Sequence, residues 1–245
     1  MRAFSAQPAP GELPPTLPDP FAPARHLLAV QAAELLRAEV EDSQLWTQLS
    51  GPRGGKMFGV LVVQDGAGRI GYLQAFAGRL GKRWTAPGFV PPVFAERDHD
   101  PRWVEGERQL SDLEVAIGAL EYRQALQPAS PVDELAARKR RRSELSRQAL
   151  GLVQEVYRIA NWAGEERTVA EIFSPDRPPA GVGECAAPKL LAEAHRLGLR
   201  PLVVGELWLG GPPPAGNREH GQFYPACTQK CGRLLPFMLT GLYAR

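Results

Sequence analysis

Gly183-Glu184-Cys185-Ala186-Ala187-Pro188-Lys189-Leu190-Leu191 and, later in the chain, Cys227-Thr228-Gln229-Lys230-Cys231 are the stretches on which the reading of the fold turns. The first places a cysteine at a helix start, the second at or before one. The first follows the glycine-rich turn Ala180-Gly181-Val182-Gly183 and feeds a helix that runs to about Leu197, with Gly198 closing it. In the second, Cys227 and Cys231 are four residues apart, so both point to one side of a helix. A helix N-terminus favours thiolates through its dipole and its free N–H groups, and thiolates are the form that binds metal. Cys185, Cys227 and Cys231, with His220 seven residues before Cys227, therefore make a candidate zinc set of three cysteines and one histidine. A C-x3-C spacing is one residue longer than the usual zinc pair, and the same cysteines also read as reduced thiols packed in a core, or as redox or nucleophilic groups. Glu184 and Glu206 are candidate proton-transfer groups or additional ligands, and each also reads as a helix cap or a strand-edge charge. Lys189, one turn into the first helix, is a candidate for stabilising an oxyanion.

Outward from these stretches the elements follow in a definite order. Before them, Met57–Val63 and Ile70–Phe76 are apolar runs around Asp65-Gly66-Ala67-Gly68, which predicts a β-hairpin. Between the cysteine segments, Pro201–Leu209 predicts a strand, ended by Gly210-Gly211-Pro212. Leu27, Leu28, Val30, Leu35, Leu36 and Val40 recur at helical spacing, which predicts a first helix extending to about Leu49 and stopped by Ser50-Gly51-Pro52. An apolar helix is expected from Leu234 to Leu242. Residues 104–126 and 131–160 predict two helices parted at Gln127-Pro128, the second opened by Ser130-Pro131-Val132-Asp133-Glu134 as cap, first-turn proline and acids. That second helix carries the one dense basic run, Arg138-Lys139-Arg140-Arg141-Arg142, which reads either as a solvated face or as a phosphate-binding one. Phe89, Phe94, Trp84 and Trp208 are candidate stacking groups for bases, or core residues.

Length and composition bound these readings. The 245 residues, 44% hydrophobic, are enough to bury a substantial core. Lys and Arg total 29 against 27 for Asp and Glu, a formal charge of +2, so any affinity for nucleic acid must come from a local patch. No apolar run approaches the roughly 20 residues that cross a bilayer, and the N-terminal residues lead into prolines, so the expected location is the cytoplasm, without membrane contact. Three cysteines argue against a disulfide-stapled fold. Residues 1–24 hold seven of the 24 prolines and are expected to form an extended arm without helix or core strand.

Two families share parts of this pattern. Helix, hairpin, helix opening on a cysteine, strand, helix opening on a cysteine pair resembles the layout of the zinc-dependent nucleobase deaminases. The resemblance implies an α/β (α+β) fold with a deaminase-like core over residues 25–103 and 164–245, a hairpin, a central sheet and flanking helices, and a helical-hairpin insertion at 104–163. In that family the first ligand is followed, after one residue, by a proton-shuttling Glu, and the second motif is Pro-Cys-x-x-Cys. Here Ala187 stands at the Glu position and the second motif is one residue longer.

The blocks Gly55–Gln64, Gly71–Gly78, Phe89–Phe94, Pro178–Leu191 and His220–Cys227, in that order, resemble the N-terminal region that precedes the catalytic domain in long-form RluA-type RNA pseudouridine synthases. The resemblance implies an accessory, RNA-binding role in RNA modification, with transfer or ribosomal RNA, or a separately encoded synthase domain, as partner. The synthase itself needs the Asp of a His-Arg-Leu-Asp motif; the nearest match is His195-Arg196-Leu197-Gly198, with glycine at the nucleophile's place. Uridine isomerisation by this chain alone is therefore not expected. Three functions remain in view: an RNA-associated module that contacts phosphates through Arg138–Arg142, a zinc-dependent enzyme acting on a nucleobase or nucleoside, and a purely structural or protein-docking domain whose cysteines fill its core.

Overall fold

A computed structural model of the chain describes residues 1–22, 26–81, 83–95, 99–127 and 132–243. In chain order the elements are β1 (Arg2–Ala3), α1 (Leu27–Glu41), α2 (Leu45–Leu49), β2 (Lys56–Gln64), β3 (Ile70–Phe76), α3 (Pro101–Leu126), α4 (Val132–Glu155), β4 (Arg158–Ala160), β5 (Glu166–Thr168), α5 (Val169–Phe173), α6 (Ala186–Arg196), β6 (Arg200–Leu209), β7 (Phe223–Tyr224) and α7 (Thr228–Leu239). The fold is α+β. The chain divides into two units, Met1–Val93 with Ile159–Arg167 and Ile172–Arg245, and Phe94–Arg158 with Thr168–Glu171.

The first unit is built on an antiparallel sheet of order β1-β3-β2-β6-β7. The turn of the β2–β3 hairpin closes because Asp65 Oδ1 accepts from the N–H groups of Ala67 and Arg69, both at 2.9 Å. Its register runs from Phe58 opposite Phe76 to Gln64 opposite Ile70. Every residue of β3 is buried, as it must be in a sheet covered on both faces. On one face Phe58, Val60 and Val62 of β2 meet the Leu28, Ala29, Ala32, Ala33, Leu36 and Val40 stripe of α1. The alanines let that helix lie close to the strands. On the other face α6 crosses β2, β3 and β6, with α7 beside it. That second approach depends on Gly59, where a Cβ would lie 2.8 Å from the Ala186 Cβ and 3.1 Å from Leu190 Cδ1.

In the first unit three expectations change. The first helix does not run through to Leu49: Ser43 bonds Val40 O at 2.7 Å and receives the Leu45 N–H at 3.2 Å, offering the backbone a local alternative that splits it into α1 and α2. The proline-rich arm does supply a strand, and a 3-10 turn at Pro10–Glu12. Arg2 and Ala3 pair with Tyr72 and Gly71 at the sheet edge, and the Gln7 amide prolongs the ladder by bonding both the carbonyl and the N–H of Ile70. Prolines begin only at Pro8, beyond the paired residues, so they deny the ladder nothing. The last helix starts at Thr228, earlier than the apolar pattern from Leu234 suggests, and contains Pro236.

The second unit is a helical pair. Asp100 caps α3 by accepting the Arg102 N–H at 2.9 Å, which starts the helix at Pro101, three residues before the expected 104. α4 ends at Glu155, short of the expected 160, because the β4–β5 hairpin takes up the chain from Arg158. The break at Pro128 and the cap at Ser130-Pro131 lie outside the described residues. The two helices run antiparallel, with Lys139 paired to Glu121 and Arg142 to Glu114. Phe94 stacks on Tyr157 with ring centroids 6.0 Å apart. Among the described residues no helix is long and apolar enough to cross a membrane.

Gly59→Ala forces the new methyl against α6, and we expect it to destabilise the fold by about 1–3 kcal/mol. Urea unfolding of the two proteins measures the difference, and an unchanged midpoint would show that α6 has room to move away.

Candidate metal centre

Cys185 and Cys227 occupy equivalent places: each is the N-cap of its helix, in extended backbone, with a side chain that makes no cap bond. The thiols are thus free to point at one another. Cys185 Sγ lies 3.8 Å from Cys227 Sγ, and Cys227 Sγ lies 3.7 Å from Cys231 Sγ. The three sulfurs fall within 4.8 Å of one another, and they form the only such group of potential ligands among the described residues. Zn–S bonds near 2.3 Å in a tetrahedron place sulfurs about 3.8 Å apart, so the two shorter separations fit a shared ion. Cys231 is fully buried, whereas Cys185 and Cys227 are partly exposed, so the trio is approachable from one side. No disulfide joins the three cysteines.

The electrostatics of the trio suit a cation. Without one, three thiolates cannot coexist at this spacing. Hydrogen bonds from the Cys185 and Cys231 thiols, with the N–H groups of Lys230 and Cys231, hold Cys227 far below the usual thiol range. Its neighbours move the other way: the bond to Cys227 pushes Cys185 up to about 12, and bonds to Cys185 and Cys227 push Cys231 up as well. A divalent ion resolves the conflict by stabilising all three as thiolates, aided by the N-termini of α6 and α7, which both end here.

Glu206 lies beside this trio on β6, on the face covered by α6. It is 6% exposed, and its Oε1 accepts the Ala187 N–H at 3.1 Å. Burial pushes its pKa up to about 7; the amide of Ala187 works against that shift, and the charge of Cys227 adds to it. A buried carboxyl is therefore held against the residue where the deaminase pattern carries its helical Glu. Glu184 takes a different part. Its carbonyl accepts the Gly78 N–H at 2.7 Å, and its carboxylate shares the space beside Gly181 with the Lys230 ammonium. A Cβ at Gly181, where φ is +74°, would lie 2.9 Å from Lys230 Nζ and 3.2 Å from Glu184 Oε2.

Two expected site residues are engaged elsewhere. His220 stands outside the sulfur group: its Nδ1 accepts the Gly210 N–H at 3.1 Å, its Nε2 faces Glu41 at 3.0 Å, and its ring sits edge-on to Trp46. The loop before β7 carries it toward α1, across the sheet from the sulfurs, which corrects the expected four-ligand set to the three cysteines alone. Lys189 is buried, and its ammonium donates to the carbonyls of Phe76 and Gly78 at 2.8 and 2.9 Å while lying over the Phe76 ring. It anchors the end of β3, as Lys56 does by donating to Ala77 O at 3.1 Å, and those bonds take the place of the oxyanion role. The candidate stacking groups are likewise engaged. Phe89 packs on Phe58 and Phe76, Phe94 is buried, Trp208 donates to Gly211 O, and Trp84 lies under Arg79.

The basic run lies on the helical pair. Arg138 pairs with Glu134 on its own helix, while Lys139 and Arg142 reach across to Glu121 and Glu114, at 2.8, 2.8 and 3.0 Å. Arg140 and Arg141 are exposed. Sequence reasoning misses Tyr224 and Arg218. β7 places Tyr224 opposite Glu206, and the Arg218 guanidinium lies 4.0 Å from the Tyr224 ring, close enough to act on the Glu206 charge. A two-residue strand leaves no periodic signal from which that register could be read.

In comparisons with known protein families, characterised proteins and solved structures, the chain matches none.

Glu206 makes stability depend on pH in the metal-free protein. Its folded pKa of about 7 exceeds the ordinary value of 4.5, so between those values the folded chain holds a proton that the unfolded chain releases. Stability is expected to fall as pH rises through that window, by about 3 kcal/mol in all. Chelator-treated Glu206→Gln should show that much less dependence in denaturant unfolding between pH 4.5 and 7; identical profiles would place the carboxyl in a more solvated setting.

Proposed function

We propose that the chain is a zinc-dependent hydrolytic enzyme of deaminase type, acting on the exocyclic amine of a nucleobase or nucleoside. The observation that carries this reading is the placement of a buried carboxyl, Glu206, against the first turn of the helix whose cap is one of three converging cysteines. Cys185, Cys227 and Cys231 would hold the ion, leaving its fourth position for water. Bound zinc supplies Lewis acidity, which brings the pKa of water toward neutrality. The carboxyl does the proton work. With Oε1 held by the Ala187 N–H, the carboxylate takes one proton from the attacking water and passes it to the ring nitrogen, then carries the second from the added hydroxyl to the departing amine. Water adds to the ring carbon, the bond from that carbon to nitrogen breaks, and ammonia leaves without any change of oxidation state. The helical Glu of the deaminase pattern would here be replaced by one arriving from the neighbouring strand, aimed at the same place.

The RNA-modification reading has its own support. Lys56, Gly78, Glu184, Cys185, Lys189 and Cys227, drawn from separate blocks of the synthase-like pattern, meet in one place: the Gly78 N–H bonds Glu184 O, Lys189 bonds Gly78 O, and the two sulfurs touch. On that reading the chain is an accessory module built round a structural ion, with an RNA or a synthase domain as partner. Arg138, Lys139 and Arg142 are ion-paired along this stretch of helix, by exposed pairs that each add little, and Arg140 and Arg141 beside them are exposed.

Elemental analysis of protein purified without chelator should give close to one zinc per chain, and Cys227→Ser should lose it. Glu206→Gln should keep the zinc while release of ammonia from a panel of cytosine and adenine nucleosides falls by at least about a hundredfold. Zinc at full occupancy with no ammonia from any member would assign the ion to structure and leave the accessory reading. Absence of zinc would overturn both.

A further inference from the structure

The geometry points to a second binding site, for a nucleoside phosphate, at the opposite end of α6 from the sulfurs. A cavity of about 240 Å³ there is walled by Trp162, His195 and Arg200, with Leu199 and Leu242 as its apolar lining. Cys185 caps the start of α6 and His195 stands in its last turn, so the two sites are about 15 Å apart along the helix. The cavity is a separate place and not an extension of the metal centre.

Its walls are built, not incidental. Trp162 sits in the turn between β4 and β5, which Asn161 organises: the fully buried Asn161 side chain accepts the N–H groups of Ala163 and Glu165 through Oδ1, at 3.0 and 2.9 Å. The turn is pinned from behind, because the Ala163 N–H also lies 2.9 Å from Thr240 O and Gly241 approaches too closely to tolerate a side chain there. The indole and the His195 imidazole meet edge to face, with centroids 5.2 Å apart and planes at 87°. Arg200 opens β6 and is exposed; its guanidinium reaches the Pro15 carbonyl at 3.3 Å, and no carboxylate pairs with it among the described residues.

This combination selects a ligand chemistry. An indole offers a surface on which a base can stack, and such stacking is insensitive to which base it is. An imidazole beside it offers a hydrogen bond to a base edge or a ribose hydroxyl. A guanidinium at the mouth, lacking a carboxylate partner, is suited to a phosphate, which it can hold with two parallel bonds. No acidic residue lines the cavity to oppose an anion. The volume is below the roughly 300–1,000 Å³ typical of pockets for larger ligands, so it suits one nucleotide, not a dinucleotide. The nucleotide could be free or one unit of a single strand of RNA, and the two sources share this chemistry.

Intrinsic fluorescence of the purified chain, titrated with uridine 5′-monophosphate, uridine, inorganic phosphate and a short oligouridylate, tests the site. The monophosphate should bind, with uridine at least about tenfold weaker. Arg200→Gln, an exposed change, should bring the monophosphate down to the level of uridine, and Trp162→Phe should remove most of the fluorescence response. Tighter binding of the oligouridylate than of the monophosphate would identify a strand as the ligand, and equal binding a free nucleotide. Chelation of zinc should leave every value unchanged, so this result stands or falls apart from that of the metal centre. No saturation by the monophosphate at millimolar concentration, equal binding of inorganic phosphate, or binding indifferent to both substitutions would overturn the proposal.

Discussion

Everything distinctive in this molecule depends on two helices starting at one point. α6 and α7 each begin with a cysteine at the cap, and the sheet beneath holds those two caps 3.8 Å apart at sulfur. Their dipoles both put positive potential at that point, and a third thiol enters from the first turn of α7. A metal-free chain must keep most of the resulting charge protonated, as the opposed shifts of Cys227 and its two neighbours show. The convergence in turn needs Gly59, since α6 could not lie on β2 at this distance over any larger residue. A glycine in mid-strand is ordinarily a weakness; here it is what lets helix and sheet meet.

Around that point the polar groups have distinct jobs. Lys56 and Lys189 tie down the carbonyls at the end of β3, which fixes the floor from which Gly78 bonds to Glu184. The buried Lys189 ammonium gives two of its donors to backbone oxygens and the half-buried Lys56 gives one, which makes both structural ties. Glu206 is held through Oε1 by the Ala187 N–H, with the Ala186 N–H also on the carboxyl, and the Cys227 charge acts on it. Burial raises its pKa to about 7. Tyr224 and Arg218 next to it bring an aromatic ring and a positive charge to the same side of the sheet.

The helical pair obeys a different logic. Its exposed ion pairs each add little, but they set the register of α3 against α4 and use up the charges that make the basic run conspicuous in the sequence. In the first unit, Arg200 and His195 instead meet the Trp162 turn, where no run of like residues marks them. A charge is informative once its partners are known, and partners 18 or 28 residues away in sequence, as for Lys139 and Arg142, leave no local trace.

Secondary structure was determined by the sequence alone, because it rests on local physics. Alternation and helical periodicity gave the hairpin, β6, α3 and α6 to within a few residues, and capping logic placed Cys185 at a helix start. Where local reading failed, a competing local bond or a distant partner was responsible: Ser43 splitting the first helix, Gln7 and Arg2 joining the arm to the sheet edge. The site itself was decided only by tertiary structure. His220 and Cys227 are near neighbours in sequence, yet one faces Glu41 across the sheet from the other; Glu206 and Ala187 are distant in sequence, yet bonded. Which side of a sheet a loop crosses to, and which strand lies under which helix turn, depend on the packing of the whole core, and no short stretch of residues encodes them.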